Sequence, residues 1–185
     1  MAITVTKALT SFQDVVLGKV DKVLYFKAGL DADALKTAMT ADMALPILDE
    51  SLTFDMGAAE VTRVKLIDQT NWVSYAKKGD PDIQFQIPSF SDDIANTFGN
   101  KKGNAAPNAT DKISYQGYSD APKKVTGALI FVGDDEKVQV VLPNVEIYSA
   151  AVLGDGDNPS YFNCVVTPLA DTAGAVYYIG KSTAE

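Results

Sequence analysis

The residue types that most often carry enzyme chemistry are scarce in this sequence. It contains no histidine, one cysteine (Cys164) and one arginine (Arg63) among 185 residues. Without an imidazole there is neither a Ser-His-Asp triad nor a Cys-His pair, and no histidine ligand for zinc, iron or copper. One thiol cannot complete a structural zinc site or form a disulfide within the chain. Any catalysis would therefore depend on carboxylates, Lys, Tyr, Ser/Thr or Arg63.

Ser74 and Lys77 match the S-x-x-K spacing of Ser-Lys nucleophiles, in which both side chains share one face of a helix. The flanking residues instead predict a strand, where an odd spacing of three places side chains on opposite faces. The companion motifs of that chemistry are missing from the sequence. A strand end that runs into a turn therefore explains the pattern better than a nucleophile.

An oxygen-rich loop offers the nearest approach to a metal site. Asp155, Asp157 and Asn158 resemble the start of an EF-hand calcium loop. That loop needs an oxygen ligand at its fifth position and glycine at its sixth, but Pro159 and Ser160 stand there. A turn explains the segment better, and weak calcium binding by this loop stays an open alternative. We predict no metal site and no cofactor.

Adjacent acidic residues occur at 49–50, 92–93 and 134–135, each explained by a turn or the start of a helix. Two carboxylates at the right separation can hydrolyse a glycoside, and this is the common enzyme class that the composition leaves open. Such a site would need a deep cleft that holds two acids with separated pKa values. We predict that the protein is not an enzyme.

Trp72 and Tyr75 are the candidate aromatic surface. They could pack at a protein interface or stack on a sugar ring, although aromatic residues in strands more often serve the core or cross-strand packing. The alternative function is therefore a non-catalytic β-sandwich binding module for carbohydrate or a surface partner.

The charge of the chain limits its partners. Sixteen basic and 24 acidic side chains give a net charge of −8, which disfavours both a grip on nucleic acid and docking on an anionic membrane. The longest apolar runs have five residues, so no membrane-spanning helix is expected. No basic region followed by an apolar block stands at the beginning, and we expect no signal peptide.

Strand-like runs separated by turn residues dominate the sequence. The clearest hairpin has arms at 125–132 and 137–142, joined by the turn Gly-Asp-Asp-Glu at 133–136. Pro143 and Asn144 predict a break, followed by a strand around 145–148. Further strands are predicted at 52–54, 61–67, 72–75, 83–87, 161–166 and 176–179, with a turn at 68–71.

Two segments have helical character. Residues 91–98 begin with Ser91 as a cap, carry acids in the first turn and stop at Gly99. Ile94 and Phe98 then lie on one face of a short amphipathic helix. Residues 31–44 are rich in Ala, Leu and Met and also favour a helix.

The predicted fold is mainly β, an antiparallel β-sandwich or barrel with one short flanking α-helix. An N-terminal arm of partly helical character (residues 1–44) precedes a β-sandwich domain (45–185). Within this domain, residues 99–124 contain Gly, Asn, Pro and Lys with little periodicity, which predicts a long loop.

The order of the segments resembles the tail tube (major tail) proteins of long-tailed bacteriophages, which share a fold with the secreted tube protein of type VI systems. The resemblance spans residues 45–181 and is one of pattern. It is carried by 45–55, 61–66, Trp72, 79–89 with the short helix, 123–132, 138–147, 162–168 and 177–179.

This resemblance implies a structural virion protein without catalysis. Subunits of that family form hexameric rings that stack into a tube, and DNA passes through it without specific binding. The implied partners are the protein itself and other tail proteins, with no membrane. The implied location is the virion tail, and the host cytoplasm before assembly. An acidic subunit suits a lumen that must not hold phosphates.

The resemblance also suggests where surfaces of the assembly would lie. Long loops and the N-terminal arm would become ordered against neighbouring subunits, and edge strands would pair around the ring. The candidate surfaces facing the lumen or the next ring are the acidic residues Asp134, Asp135, Glu136, Asp155 and Asp157.

Overall fold

A computed structural model describes residues 19–37, 39–66, 69–105, 110, 113, 115–134, 136–154, 157 and 159–181. These residues form a mainly β structure with antiparallel sheets and one short α-helix, which confirms the fold class expected from the sequence. The β-sandwich character of that expectation is also supported.

The described part of the chain contains twelve strands. They are β1 (Val20–Phe26), β2 (Met43–Leu45), β3 (Thr53–Asp55), β4 (Ala59–Leu66), β5 (Gln69–Lys78), β6 (Asp82–Ile87), β7 (Lys101–Ala105), β8 (Tyr115–Tyr118), β9 (Lys123–Gly133), β10 (Val138–Val152), β11 (Tyr161–Leu169) and β12 (Tyr178–Lys181). The helix α1 (Asp92–Phe98) follows β6, and a short 3₁₀ turn (Ala34–Lys36) follows β1.

Eight of the strands form one sheet in the order β2-β1-β9-β10-β11-β6-β3, with β12 paired to β10 off this path. The strand β1 pairs antiparallel with β2 and β9, and β6 pairs antiparallel with β3 and β11. Two hairpins, β4–β5 and β7–β8, form separate two-stranded sheets. The strands at the two ends of the long path, β2 and β3, have only three residues each.

The chain forms two compact units. One takes the chain up to Pro46, Thr126–Glu146 and the chain from Pro168, while the other takes Ile47–Val125 and Ile147–Thr167. The first unit therefore combines three separate stretches of sequence, and the second combines two.

The first unit is built around β9, whose side chains are buried on both faces. Leu129 and Phe131 are fully buried on one face. The residues of the other face join a cluster with β1, the loop after it and β10, which consists of Phe26, Leu30, Ala128, Ile130, Val132 and Val141. A strand covered on both faces is expected to be continuously apolar, which explains the run at 128–132.

The second unit has its core on one face of β6. Ile83, Phe85 and Ile87 are fully buried, while the intervening Gln84 and Gln86 are half-buried, which is the alternation of a strand with one covered face.

The short helix α1 contributes Ile94 and Phe98 to the buried residues of the second unit, which confirms the predicted amphipathic face. The ring of Phe162 on β11 lies 4.7 Å from that of Phe90 and 6.2 Å from that of Tyr118, between ring centroids.

The prediction of a helix at 31–44 is wrong, because the described residues of this range form a short 3₁₀ turn and the start of β2. Asp31 caps a single turn, because its Oδ1 accepts the backbone N–H groups of Asp33 and Ala34 at 3.0 and 2.7 Å. After this 3₁₀ turn the chain becomes the strand β2, where Leu45 is buried and pairs with Val23. Pairing with β1 and burial outweigh the high helix propensity of Ala, Leu and Met, which is worth less than about 1 kcal/mol per residue.

Two other expectations differ from the structure. Pro143 does not break the strand, because β10 continues through it, and its carbonyl accepts the N–H of Leu30 at 2.8 Å. Residues 69–71 of the expected turn at 68–71 belong to β5, which begins at Gln69; residues 67–68 lie outside the described ones.

The segments expected to be irregular also contain strands. β1 lies in the expected N-terminal arm (1–44), whose residues 1–18 are outside the described part, and pairs with the central strand β9. The expected long loop (99–124) holds β7 and β8. Gly103 and Gly117 face each other in this hairpin, and glycine has a low strand propensity, so the sequence pattern did not reveal these strands.

The packing of β1 against β9 yields a test at Gly127. A Cβ at this position would lie 2.2 Å from the carbonyl oxygen of Phe26 and 2.7 Å from Cε2 of Tyr25. We expect Gly127→Ala to lower the free energy of unfolding by about 1–3 kcal/mol through overpacking, measured by urea denaturation. Gly103→Ala is the control, because its Cβ would meet nothing within 4 Å. Equal stability of the two variants would contradict this packing.

Candidate functional site

The hairpin β4–β5 of the second unit pairs with no other strand in the described part of the chain. We call residues 59–78 the arm. Its strands pair antiparallel from Ala59 opposite Lys78 to Val64 opposite Val73, with an irregularity before Leu66. Strands of eight and ten residues reach about 25–30 Å. The predicted strands at 61–67 and 72–75 are therefore confirmed over their described residues and are longer than expected.

Two glycines close the base of the arm. Gly57 has a φ of 80°, which favours glycine, and its N–H donates to Oδ1 of Asp55 at 2.8 Å. A Cβ on Gly57 would lie 2.2 Å from the carbonyl oxygen of Gly79. The N–H of Gly79 donates to the carbonyl of Ala58 at 2.8 Å. This hydrogen bond joins the two segments that connect the arm to β3 and β6.

The described side chains of the arm are exposed on both of its faces. Side chains at 59–63 and 73–78 are all exposed, and they include three large apolar residues: Val61 (55%), Val73 (46%) and Tyr75 (57%). In the register of the hairpin, Val61 lies opposite Ala76 and Tyr75 lies opposite Thr62, so each face carries apolar side chains. A two-stranded hairpin without a covered face is only marginally stable in water.

The second hairpin, β7–β8, is fastened to α1. The side chain of Gln116 on β8 donates to Asp92 at 2.8 Å, and Nζ of Lys101 on β7 donates to Oδ1 of Asn96 at 3.4 Å. Nζ of Lys123, on the next strand β9, also donates to α1, at the carbonyl of Asn96 (2.6 Å). Burial lowers the pKa of Lys123. Tyr115 nevertheless exposes more than half of its side-chain surface. This hairpin thus adds a further exposed aromatic position in the same unit.

The predicted acidic surface is divided between the two units. Asp134 is exposed and Glu136 follows it in the turn after β9, both in the first unit. Asp157 is exposed in the second unit. Asp135 and Asp155 lie outside the described residues. The described residues therefore do not test these five positions as one surface, and their role at a lumen stays a prediction.

Glu136 also has a partner within its own unit. Nζ of Lys22 donates to its carboxylate at 2.6 Å. This hydrogen bond and the charge of Lys22 lower the pKa of Glu136, and the same contact raises the pKa of Lys22. Lys22 thus partly neutralises the negative charge of Glu136, which was predicted to belong to an acidic surface.

Trp72 and Tyr75 both belong to β5, as expected, but they are three residues apart. An odd spacing places two positions on opposite faces of a regular strand. Tyr75 is exposed; the side chain of Trp72 lies outside the description. The spacing does not favour a single stacking platform made of both residues.

The described residues give little support for catalytic groups. Burial raises the pKa of the Cys164 thiol to about 12, which leaves little thiolate at neutral pH. Ser74 and Lys77 lie on the strand β5 rather than on a helix. Among the described residues, no three His, Cys, Asp or Glu side chains are grouped so that they could hold a metal ion.

A carboxylate that the sequence analysis did not single out organises the turn before β12. Asp171 is buried, and its Oδ1 accepts the N–H groups of Ala173 and Ala175 at 2.9 and 2.8 Å. Its Oδ2 accepts a short hydrogen bond from the hydroxyl of Tyr178. That hydroxyl and the backbone donors lower the pKa of Asp171, and the bond raises the pKa of Tyr178. An Asp three residues before a Gly is a common turn pattern and an unspecific signal.

Comparison of the chain with protein-family models, with curated proteins and with solved structures found no match. In the described part of the chain, no helix has the length and apolar character needed to span a membrane.

The bond between Asp171 and Tyr178 predicts a pH dependence of stability. Because the folded-state pKa of Asp171 is depressed, its contribution is present above the ordinary value of 3.8 and is lost as the pH falls through the lower folded value. We expect Tyr178→Phe to be less stable than wild type at pH 7, with the difference shrinking below pH 3.8. Chemical denaturation across this pH range measures it. Tyr177→Phe, at an exposed neighbouring position, is the control and should match wild type throughout.

Proposed function

We propose that the protein is a non-catalytic structural subunit that assembles with copies of itself into the stacked, hexameric rings of a phage tail tube. The observation that carries this proposal is the arm, a long hairpin whose described side chains are exposed on both faces. The ring number and the tube come from the resemblance described for the sequence. The arm supports the more general statement that copies of the chain associate.

As a free element in water, the arm is energetically unfavourable. It exposes Val61, Val73 and Tyr75 to water and leaves the outer edges of two long strands without a partner in the described chain. Burying apolar side chains is favourable by about 25 cal/mol per Å², and open strand edges bind other strands readily. The main sheet ends in three-residue strands instead, which limits pairing there. Association through the arm would bury apolar surface and satisfy its edges.

The charge of the chain fits the proposed passage of DNA. A subunit with a net charge of −8 presents few sites that could retain phosphates. The chain has one arginine, which reduces the number of bidentate phosphate contacts that a lumen could make.

The alternative is a binding module for carbohydrate, which the exposure of Tyr75 favours. A sugar stacked beside β5 would quench or enhance the fluorescence of the single tryptophan, Trp72, in a saturable way. Self-association without a glycan response distinguishes the structural subunit from this module.

Negative-stain electron microscopy, with light scattering over a range of protein and salt concentrations, tests the proposal directly. Rings or stacked tubes with a central hole are the expected result. A protein that stays monomeric at every concentration and salt would contradict self-assembly.

We expect the double variant Val73→Thr/Tyr75→Thr to weaken association by at least about tenfold, because apolar and aromatic side chains carry much of the energy of interfaces. Threonine keeps a high strand propensity, so the arm should still form. The dissociation constant from sedimentation is the measurement. Val165→Thr/Tyr177→Thr removes a matched pair of exposed side chains outside the arm and should have no effect. Equal effects of both pairs would exclude the arm from the interface.

A further inference from the structure

The arm contains the one arginine of the chain. Arg63 lies in β4, is exposed, and pairs in register with Ser74 of β5. The neighbour on the same face of its strand is Val61, which is also exposed. An arginine beside apolar residues is typical of the energetic centre of a protein interface. No ion pair involves Arg63 among the described residues.

Two carboxylates stand opposite each other at the base of the arm. Asp55 and Asp82 are directly opposite in the pairing of β3 with β6, and both are exposed. Residues opposite in an antiparallel pair lie on one face with Cβ atoms about 4.5–5.5 Å apart, where like charges destabilise. We call Asp55 and Asp82 the acidic foot. Because β3 ends the strand order of the sheet, the foot lies at an open edge.

Within the described residues, each carboxylate of the foot accepts one hydrogen bond, from a residue two positions away in the sequence. Oδ1 of Asp55 accepts the N–H of Gly57 at 2.8 Å, and Oδ1 of Asp82 accepts the side chain of Gln84 at 2.7 Å. A carboxylate has about four lone-pair positions, so each can accept further hydrogen bonds. Within the described residues no ion pair reaches the foot. A cation bound between these two carboxylates would relieve their repulsion.

Arg63 of the same chain does not serve as this cation. It lies four residues beyond the start of β4, which places its backbone about 14 Å from the base of an extended arm. A guanidinium suits a pair of carboxylates, because its five N–H donors bind them in a planar, bidentate geometry. The chain thus carries an exposed arginine and an exposed acidic pair that match each other and do not meet within one copy.

We infer that Arg63 in the arm of one copy binds the acidic foot, Asp55 and Asp82, of the next copy. This inference rests on the proposed self-assembly and names one polar contact within it. The contact is heterologous, because an arm meets a foot and each copy offers both. Such contacts repeat from copy to copy until a ring closes or the stack ends.

Charge reversal tests the contact. Arg63→Glu and Asp82→Lys are each expected to raise the dissociation constant for self-association by at least about tenfold, with a weaker loss for Arg63→Lys, which keeps the charge without the fork. The double variant Arg63→Glu/Asp82→Lys should associate more strongly than Arg63→Glu alone, because the introduced carboxylate then faces a foot without net negative charge. Lys102→Glu, an equal charge change at an exposed position of β7, is the matched control and should behave as wild type.

A mixture of the two single variants gives the most specific result. The Arg63→Glu protein keeps an intact foot and the Asp82→Lys protein keeps an intact arm, so sedimentation of the mixture should show association that neither variant shows alone. Thermal unfolding verifies that each variant is folded.

The outcomes separate the two proposals. If Arg63→Glu associates as strongly as Lys102→Glu, the contact is wrong while self-assembly stands. If the folded double variant associates no more strongly than Arg63→Glu alone, the pairing of Arg63 with the foot is also wrong. If the wild-type protein is monomeric at every concentration, both the contact and the proposed function fail.

Discussion

The central strand β9 imposes the main constraint on this fold. Its consecutive apolar residues 128–132 point alternately to two faces, and both faces are buried. Such a strand cannot lie at a solvated surface, so the elements around it must cover two sides at once. The chain meets this demand from sequence-distant stretches. Phe26 and Leu30 come from the first of these, and Val141 comes from the strand after β9. The need to bury both faces of β9 thus positions β1 and the first part of β10 around it. Local residue propensities do not reveal this need.

The elements with strong local signals were predictable from the sequence. The hairpin of β9 and β10 has turn residues between two β-branched runs, and α1 has a cap, acidic residues and a Gly stop. The predictions that were wrong concern segments whose structure depends on residues far away in the sequence. β2 forms because Val23 and Leu45 pair, and Pro143 is tolerated in β10 where its carbonyl bonds to Leu30. No local pattern carries such partners, which lie about 20 and 113 residues away in the chain.

The candidate site was predictable only in part, for a similar reason. Strands at 61–67 and 72–75 followed from residue type, but their isolation from the main sheet is a property of the whole topology. The expected acidic surface relied on charge in the turns, yet Glu136 meets Lys22, which lies 114 residues away. The pairing of Asp55 with Asp82 likewise depends on the register of β3 with β6. Sequence identifies which charges exist, and the register of strands decides which of them repel or attract.

The discontinuous first unit has a consequence for the order in which the protein can fold. Phe26 pairs with Ala128, so the chain must close a loop of about 100 residues before this part of its core exists. On a ribosome, β1 emerges long before its partner β9, while the two strands of the arm are adjacent in the sequence and can pair early. High contact order of this kind slows folding. Newly made chains would therefore expose arms that open and close before the core is complete, and early association of arms would compete with completion of the fold.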